Sequence, residues 1–301
     1  MRDDAWHITG YPFIPGHEVV GIVVAAGAGV HAACARVGQR VGVGWMKNSC
    51  RCCAACVRGD ENVCAAGHTG LIVGKQAVGG FCDIMRVPAD FAFPLPDALP
   101  SEAAAPLLCA GVTVYAPLAR WMRPSARVAV VGIGGLCHLA LQFAAALGGV
   151  ATAIDIDASK RDEAAKFGAV DFIHLPDLLA GAAQPCGEWC SRFDIILNSA
   201  AAAVDVAPLM RALAPSGTLV QLGLPGGDVN LQVPLLDLVF GQKRVVGSIV
   251  GGRAEMRAML DLAAAKNVRP QVELAKLSDV NTQMKRVADG KARYRVVMVS
   301  D

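Results

Sequence analysis

The chain has 301 residues, enough for one large or two ordinary domains, each with its own core. Its net charge is +2 with only 18% charged residues, so it has no basic excess to neutralise phosphates and no acidic tail, which argues against nucleic acid as a partner. The apolar fraction is high at 54%, yet the longest apolar stretch, residues 139–154, is broken by Gln142 and the Gly148-Gly149 pair and is too short to span a bilayer. The opening "MRDDAWHITG" is acidic and polar where a secretory signal would be basic and then apolar, so a soluble, cytoplasmic protein with no membrane partner is expected.

Up to about residue 110, short β-branched runs such as "VVGIVV" and "RVGVGW" alternate with Gly and Pro, which predicts small strands and turns. The first such run follows Gly16-His17-Glu18 in "IPGHEVVG", a triplet that reads as a metal-binding corner. Eleven cysteines is a high count, and five of them lie between residues 50 and 64. Without an export signal, so tight a cluster favours metal over disulfides. Cys50, Cys53, Cys56 and Cys64 form a C-x2-C-x2-C-x7-C array that can wrap one tetrahedral zinc, with Fe–S ligation the weaker option. Four protein ligands close the coordination shell, so this metal would hold a lobe together, about residues 46–66, and do no chemistry. Cys52 could compete with Cys53, but adjacent side chains point apart and only one should reach the metal. Cys34, Cys82, Cys186 and Cys190 read as reduced thiols.

Beyond residue 110 the text changes. Six strand-like runs, "RVAVV", "ATAID", "VDFIH", "FDIILNSA", "GTLVQLG" and "RVVGSIV", are separated by helical or loop segments, which predicts a parallel sheet covered on both faces. Between the first run and the helix through "GLCHLALQFAAALG" stand Gly132, Gly134, Gly135 and Leu136. Glycines there let the backbone turn tightly and approach a pyrophosphate at a helix N-terminus. The next strand ends in Asp155, whose carboxylate would bond the ribose hydroxyls and repel a 2'-phosphate, so NAD(H) is favoured over NADP(H). Lys160 keeps NADP open, since it could meet a phosphate. The third fingerprint position is Cys137 where glycine is usual, and a slightly displaced helix is expected. A helix through "AEMRAMLDLAAAKN" and a short strand "RYRVVMV" close the chain. The resulting division is 1–110, 111–250 and a return to the first domain over 251–301.

Taken in order, "YPFIPGHEVVGIV", the four-cysteine lobe, "AAPLLCAGVTVY", "VVGIGGLCH", "VVGSIVGG", "DVNTQMKRV" and "RYRVVMV" resemble the zinc-dependent medium-chain alcohol dehydrogenases, most closely the cinnamyl alcohol dehydrogenase-like branch. The resemblance implies an α/β architecture: a GroES-like, β-rich catalytic domain interrupted by a Rossmann doubly wound parallel sheet. It implies that His17 and Cys109 bind a catalytic zinc, with Glu18 the neighbouring carboxylate able to approach or exchange onto the metal. Thr113 and Ser248 fall where the family lines the nicotinamide end of the cofactor. The implied activity is hydride transfer between a nicotinamide cofactor and a small-molecule primary alcohol or aldehyde, and the implied assembly is a homodimer. Read alone, His17 would be a surface or capping residue and Cys109 a packed thiol; the other motifs lift both. His7, His31, His68, His138 and His174 have no such company, and Trp45, Met46 and Phe81 read as core packing before substrate contacts. A zinc-free quinone reductase of the same superfamily is disfavoured by the lobe and by Gly-His-Glu.

The family pattern also has a first zinc-ligand cysteine in a segment upstream of Gly-His-Glu, which would supply part of the proton relay. No cysteine precedes His17 here, so the catalytic site is expected to be incomplete and its activity lowered. Three accounts stand open: a shortened form of an active enzyme, a zinc on His17, Cys109 and Glu18 with a water, or a dinucleotide-binding pseudoenzyme or binding module that keeps only the structural zinc.

Overall fold

The computed structural model describes residues 9–32, 34–72, 78–181, 188–200, 202–226 and 229–300; His7 and Cys186 lie outside them. The chain divides into two compact units, Met1–Val112 with Val250–Asp301, and Thr113–Ile249.

In the second unit the expected parallel sheet is present, with six strands. Across the sheet they run Arg244–Gly247, Leu213–Gln221, Phe193–Asn198, Arg127–Val131, Val150–Asp155, Ala169–His174. The order therefore reverses between Arg127–Val131 and Phe193–Asn198, the switch point at which doubly wound sheets bind dinucleotides. Burial on both faces explains the near-continuous apolar runs: Val128, Ala129, Val130 and Val131 are all inaccessible or nearly so. The helix Cys137–Ala146 packs on the sheet through Leu139, Ala140, Leu141, Phe143 and Ala144. The other core cluster gathers Ile154, Ile173, Ile196, Leu209 and Leu219.

The first unit is built from short strands. Arg40–Val43 is the centre of a three-stranded antiparallel sheet, flanked by Val19–Ile22 and Phe93–Pro94. The pair Met46–Asn48 and Thr69–Gly70 brackets the cysteine lobe. The C-terminal return adds the helix Arg253–Ala265 and a parallel pair, Val272–Lys276 with Arg295–Val299.

One long helix was not foreseen. It runs from Ser101 to Trp121 through α-helical Ser101–Pro106, a π-helical turn at Leu107–Gly111 and α-helical Val112–Trp121. Pro106 and Pro117 remove two ladder donors inside it, a pattern that reads as a break in sequence. By length and a mean hydropathy of 1.3 the segment could cross a membrane, but 83% of that apolar window is buried within the fold, the mark of a core helix.

Candidate functional site

The π-helical turn carries Cys109. Such turns interrupt the α-ladder and recur at functional positions, and here the N–H of Ala110 donates to Glu18 Oε1 at 3.2 Å. His17 and Glu18 enter from the stretch before the first strand. Gly16, at φ +92°, turns the chain where a side chain would strike Phe81, and Gly79 N–H, Gly80 N–H and Phe81 N–H donate to Ile14, Gly16 and Pro15 carbonyls. So held, one ligand atom each from His17, Glu18 and Cys109 lies within 4.8 Å of the others.

Two features tune this corner. Burial holds the His17 imidazole below its ordinary range, against the opposing pull of Glu18, so the ring is a neutral donor. Arg295 reaches in from the C-terminal strand and its Nη2 donates to Glu18 Oε2 at 2.5 Å. Burial works to lower the Arg295 pKa, but the charges of Glu18 and Cys109 raise it. The guanidinium thus offsets the Glu18 carboxylate and would offset a Cys109 thiolate once a metal is bound. Imidazole nitrogen, thiolate sulfur and carboxylate oxygen suit zinc, with metal–ligand bonds of about 2.0–2.3 Å.

The lobe fits its metal closely. Cys50 Sγ lies 3.8 Å from Cys56 Sγ, and Cys53 Sγ lies 4.0 Å from Cys64 Sγ. A tetrahedron with Zn–S bonds of about 2.3 Å has edges of about 3.8 Å, whereas a disulfide would bring sulfurs to about 2.05 Å. Cys53 N–H donates to Cys50 Sγ at 3.3 Å and Ala65 N–H to Cys53 Sγ at 3.4 Å, bonds that favour thiolate. Backbone donors from Cys52 and Cys53 lower the Cys50 pKa to about 6. The four converging sulfurs are those of Cys50, Cys53, Cys56 and Cys64; Cys52 is exposed and not among them. Around the lobe, Arg253 pairs with Glu61 at 2.7 Å and Asp90 at 2.6 Å, and Arg51 pairs with Asp90 at 2.7 Å.

At the nucleotide loop, Gly132 takes φ +87° and a side chain there would meet Ala200 Cα at 3.2 Å. Its N–H donates to Ile154 O, and the N–H groups of Gly134, Gly135 and Leu136 precede the helix that opens at Cys137, where first-turn donors have no intrahelical acceptor. Asp155 is 3% exposed and accepts from Ile133 N–H at 2.5 Å and Asp157 N–H at 2.9 Å. Lys160 is neither a solvated lysine nor a free cation: its Nζ donates to Asp155 Oδ2 at 3.1 Å and to Ile133 O at 2.8 Å. Cys137 is wholly buried, its sulfur 2.7 Å from Ser199 Oγ, and burial pushes its pKa up to about 12. A thiol therefore joins two strand ends where glycine is usual. Thr113 is buried in the long helix and Ser248 follows the edge strand with its N–H on Gln221 O; both stand on elements apart from the loop.

The "Alcohol dehydrogenase GroES-like domain" family matches residues 1–97 and the "Zinc-binding dehydrogenase" family matches residues 135–265. Cinnamyl alcohol dehydrogenase 7 of Arabidopsis thaliana is 40% identical over 309 residues, covering 99% of this chain and 83% of the relative. The chain belongs to the zinc-dependent medium-chain alcohol dehydrogenases, in the cinnamyl alcohol dehydrogenase-like branch. The solved structure of a Sorghum bicolor cinnamyl alcohol dehydrogenase shares 38% identity, 97% of this chain, 83% of its own and a TM-score of 0.88. A Helicobacter pylori cinnamyl alcohol dehydrogenase, solved with NADP(H), shares 28%, 98% and 84% coverage and a TM-score of 0.85.

Within this alcohol dehydrogenase fold, reading the sequence missed Arg295. The signal was available: an arginine inside the apolar strand "RYRVVMV" needs a buried carboxylate. Trp45 packs on Val43, Leu71 and Ile72 as its sequence context suggested, and its indole also hydrogen-bonds the His68 imidazole beside His17, a pairing the sequence did not signal.

Proposed function

We propose that this alcohol dehydrogenase transfers hydride between NAD(H) and a primary alcohol or aldehyde, with His17, Glu18 and Cys109 holding a catalytic zinc and Cys50, Cys53, Cys56 and Cys64 a structural one. The observation that carries the reading is the convergence of His17 and Glu18 with Cys109 from the far-off helix, with Arg295 beside them to offset their charge. A zinc ion bound there supplies Lewis-acid polarisation of a carbonyl oxygen. The neutral His17 ring and the Cys109 sulfur are the firm donors, while Glu18, tethered by Ala110 N–H and Arg295, stays within reach as a third. The nicotinamide supplies the hydride.

NAD(H) is preferred on electrostatic grounds. A 2'-phosphate needs an available cation, and Lys160 is committed to Asp155 and to Ile133 O. The Helicobacter relative was solved with NADP(H), so the NAD(H) reading rests on Asp155 and Lys160 of this chain and draws nothing from its relatives. A homodimer formed through the edge strand Arg244–Gly247 is proposed as well, since the preceding helix leaves Leu235, Leu236, Val239 and Phe240 exposed.

The test is a zinc count together with oxidation of NADH and NADPH by an aromatic aldehyde. Two zincs per chain and faster NADH oxidation, lost in His17→Ala and Cys109→Ala, is the expected result. One zinc with dinucleotide binding and no turnover would instead favour a binding module.

A further inference from the structure

Trp45 ends the turn after the strand Arg40–Val43, and its ring meets the His17 imidazole edge-on, with centroids 5.4 Å apart and planes at 82°. Its indole N–H donates to His68 Nε2 at 3.2 Å. The His68 imidazole is in turn hydrogen-bonded to the Asn62 backbone, in the short helical turn Glu61–Val63 that leads into Cys64. Indole is a donor only, so His68 must present a bare Nε2 to it and carry its proton on Nδ1, where the Asn62 carbonyl can accept it. The other side of Trp45 packs against Val43, Leu71 and Ile72, and its carbonyl accepts from Leu71 N–H at 2.9 Å. Cys64 lobe, Asn62, His68, Trp45 and His17 thus form one unbroken chain of contacts.

We infer that Trp45 and His68 are positioning residues for His17, and that through them the four-cysteine lobe sets the orientation of the imidazole in the metal corner. The physical need is plain. An imidazole turns about two side-chain torsions, and a ligating ring needs neighbours to hold it; removing such neighbours typically lowers metal affinity by about 10–100-fold. The inference assigns the lobe a task beyond holding its own loop together. It rests on His17 being a metal ligand.

The experiment has two arms so that the two ideas can fail separately. In the first, protein labelled with nitrogen-15 in histidine is compared as wild type, His68→Leu and His68→Gln, all of which keep Trp45. His17 ring resonances should shift and broaden in His68→Leu and return toward wild type in His68→Gln, whose side-chain carbonyl again accepts the indole N–H. In the second, cobalt(II) titrates the metal corner of protein whose lobe retains zinc, with Cys109→Ala as the control for the corner. His68→Leu and Trp45→Phe should each weaken cobalt binding about tenfold, and the double variant should be no weaker than either. Trp45→Phe keeps an aromatic filler and serves should His68→Leu not fold. Unchanged His17 resonances in a folded His68→Leu protein, or additive losses in the double variant, overturn the inference. No cobalt uptake by wild type at the corner overturns the ligand reading, and the resonance arm still decides the positioning.

Discussion

Arg295 crosses 277 positions of sequence to reach Glu18, and it is the residue on which the metal corner's charge balance turns. Its side chain is 25% exposed and that of Glu18 is 16% exposed, so removing the guanidinium strands a carboxylate in poor solvent. Arg295→Ala should lower the unfolding free energy by about 1–3 kcal/mol, as leaving a half-buried carboxylate without its partner does, while Arg295→Lys keeps the charge but loses the forked geometry and should fall between. Urea unfolding of protein with the lobe metal retained and the His17–Cys109 corner free of metal measures both. Buried Asp155 and half-buried Lys160 make a second pair, and its two halves predict opposite outcomes. Asp155→Ser releases Lys160 and should raise the NADPH to NADH ratio of kcat/KM by about tenfold, the worth of one hydrogen bond to a charged group. Lys160→Met unlatches Ile133 O and should weaken both dinucleotides alike. Parallel steady-state assays read the ratio. The contrast explains what sequence could convey about the site: His17, Cys109 and the cysteine array stand in motifs with fixed spacing, whereas Lys160 in "DASKRDE" looks like any helix-face lysine, and its partner is fixed only by the fold.

At the scale of elements, the lobe depends least on a core of its own. Ala55, Cys56 and Cys64 are buried there, but Val57 and Val63 are 74% and 55% exposed, so its shape rests on the four sulfurs and on the ion pairs around Glu61 and Asp90. Chelation of zinc should therefore raise amide exchange across residues 46–70 and leave the strands at 127–131 and 150–155 protected, as hydrogen-exchange mass spectrometry would record. Acid should act on the same ion pairs. Burial alone would raise the Glu61 pKa, but the backbone N–H and guanidinium of Arg253 bring it below its ordinary value. The unfolded state then binds the proton more readily, so this contribution is complete above about pH 4–5 and is lost as pH falls through the folded-state pKa. Glu61→Gln should lower stability at pH 7 and flatten the acid limb of an unfolding-versus-pH curve. Elements buried on both faces were legible beforehand, because strands such as "RVAVV" are apolar without interruption. The helix Ser101–Trp121 was not, since Pro106 and Pro117 disguise it and only tertiary burial offsets their missing donors. The strand Val272–Lys276 was equally hidden, its "VELAK" being too polar to stand out without its partner Arg295–Val299.

At the scale of the whole molecule, the six-stranded sheet has two edges without a further strand among the described residues, and they are unlike. The edge Ala169–His174 follows the charged helix Arg161–Lys166, whose "RDEAAK" surrounds it with charge of the kind that discourages strand pairing. The edge Arg244–Gly247 follows Leu235–Phe240, a helix with no buried residue, in which Leu235, Leu236, Val239 and Phe240 are 72%, 74%, 67% and 84% exposed. Four large apolar side chains so exposed on six residues form a patch of the kind that a monomer seldom leaves in water, and beside a row of unpaired backbone donors and acceptors they suit a second copy of the same strand and helix. A two-fold axis through that edge would make the pairing self-complementary. Light scattering of the wild type should accordingly give twice the chain mass of 31.2 kDa. Leu236→Asp combined with Phe240→Asp should give the single mass with the sheet's circular dichroism intact, because no buried residue is touched. Val170→Asp, on the opposite edge and 70% exposed, should leave the dimer whole. If instead Val170→Asp dissociates the dimer and the helix variants do not, the assembly runs through the charged edge, and the apolar helix awaits a different partner.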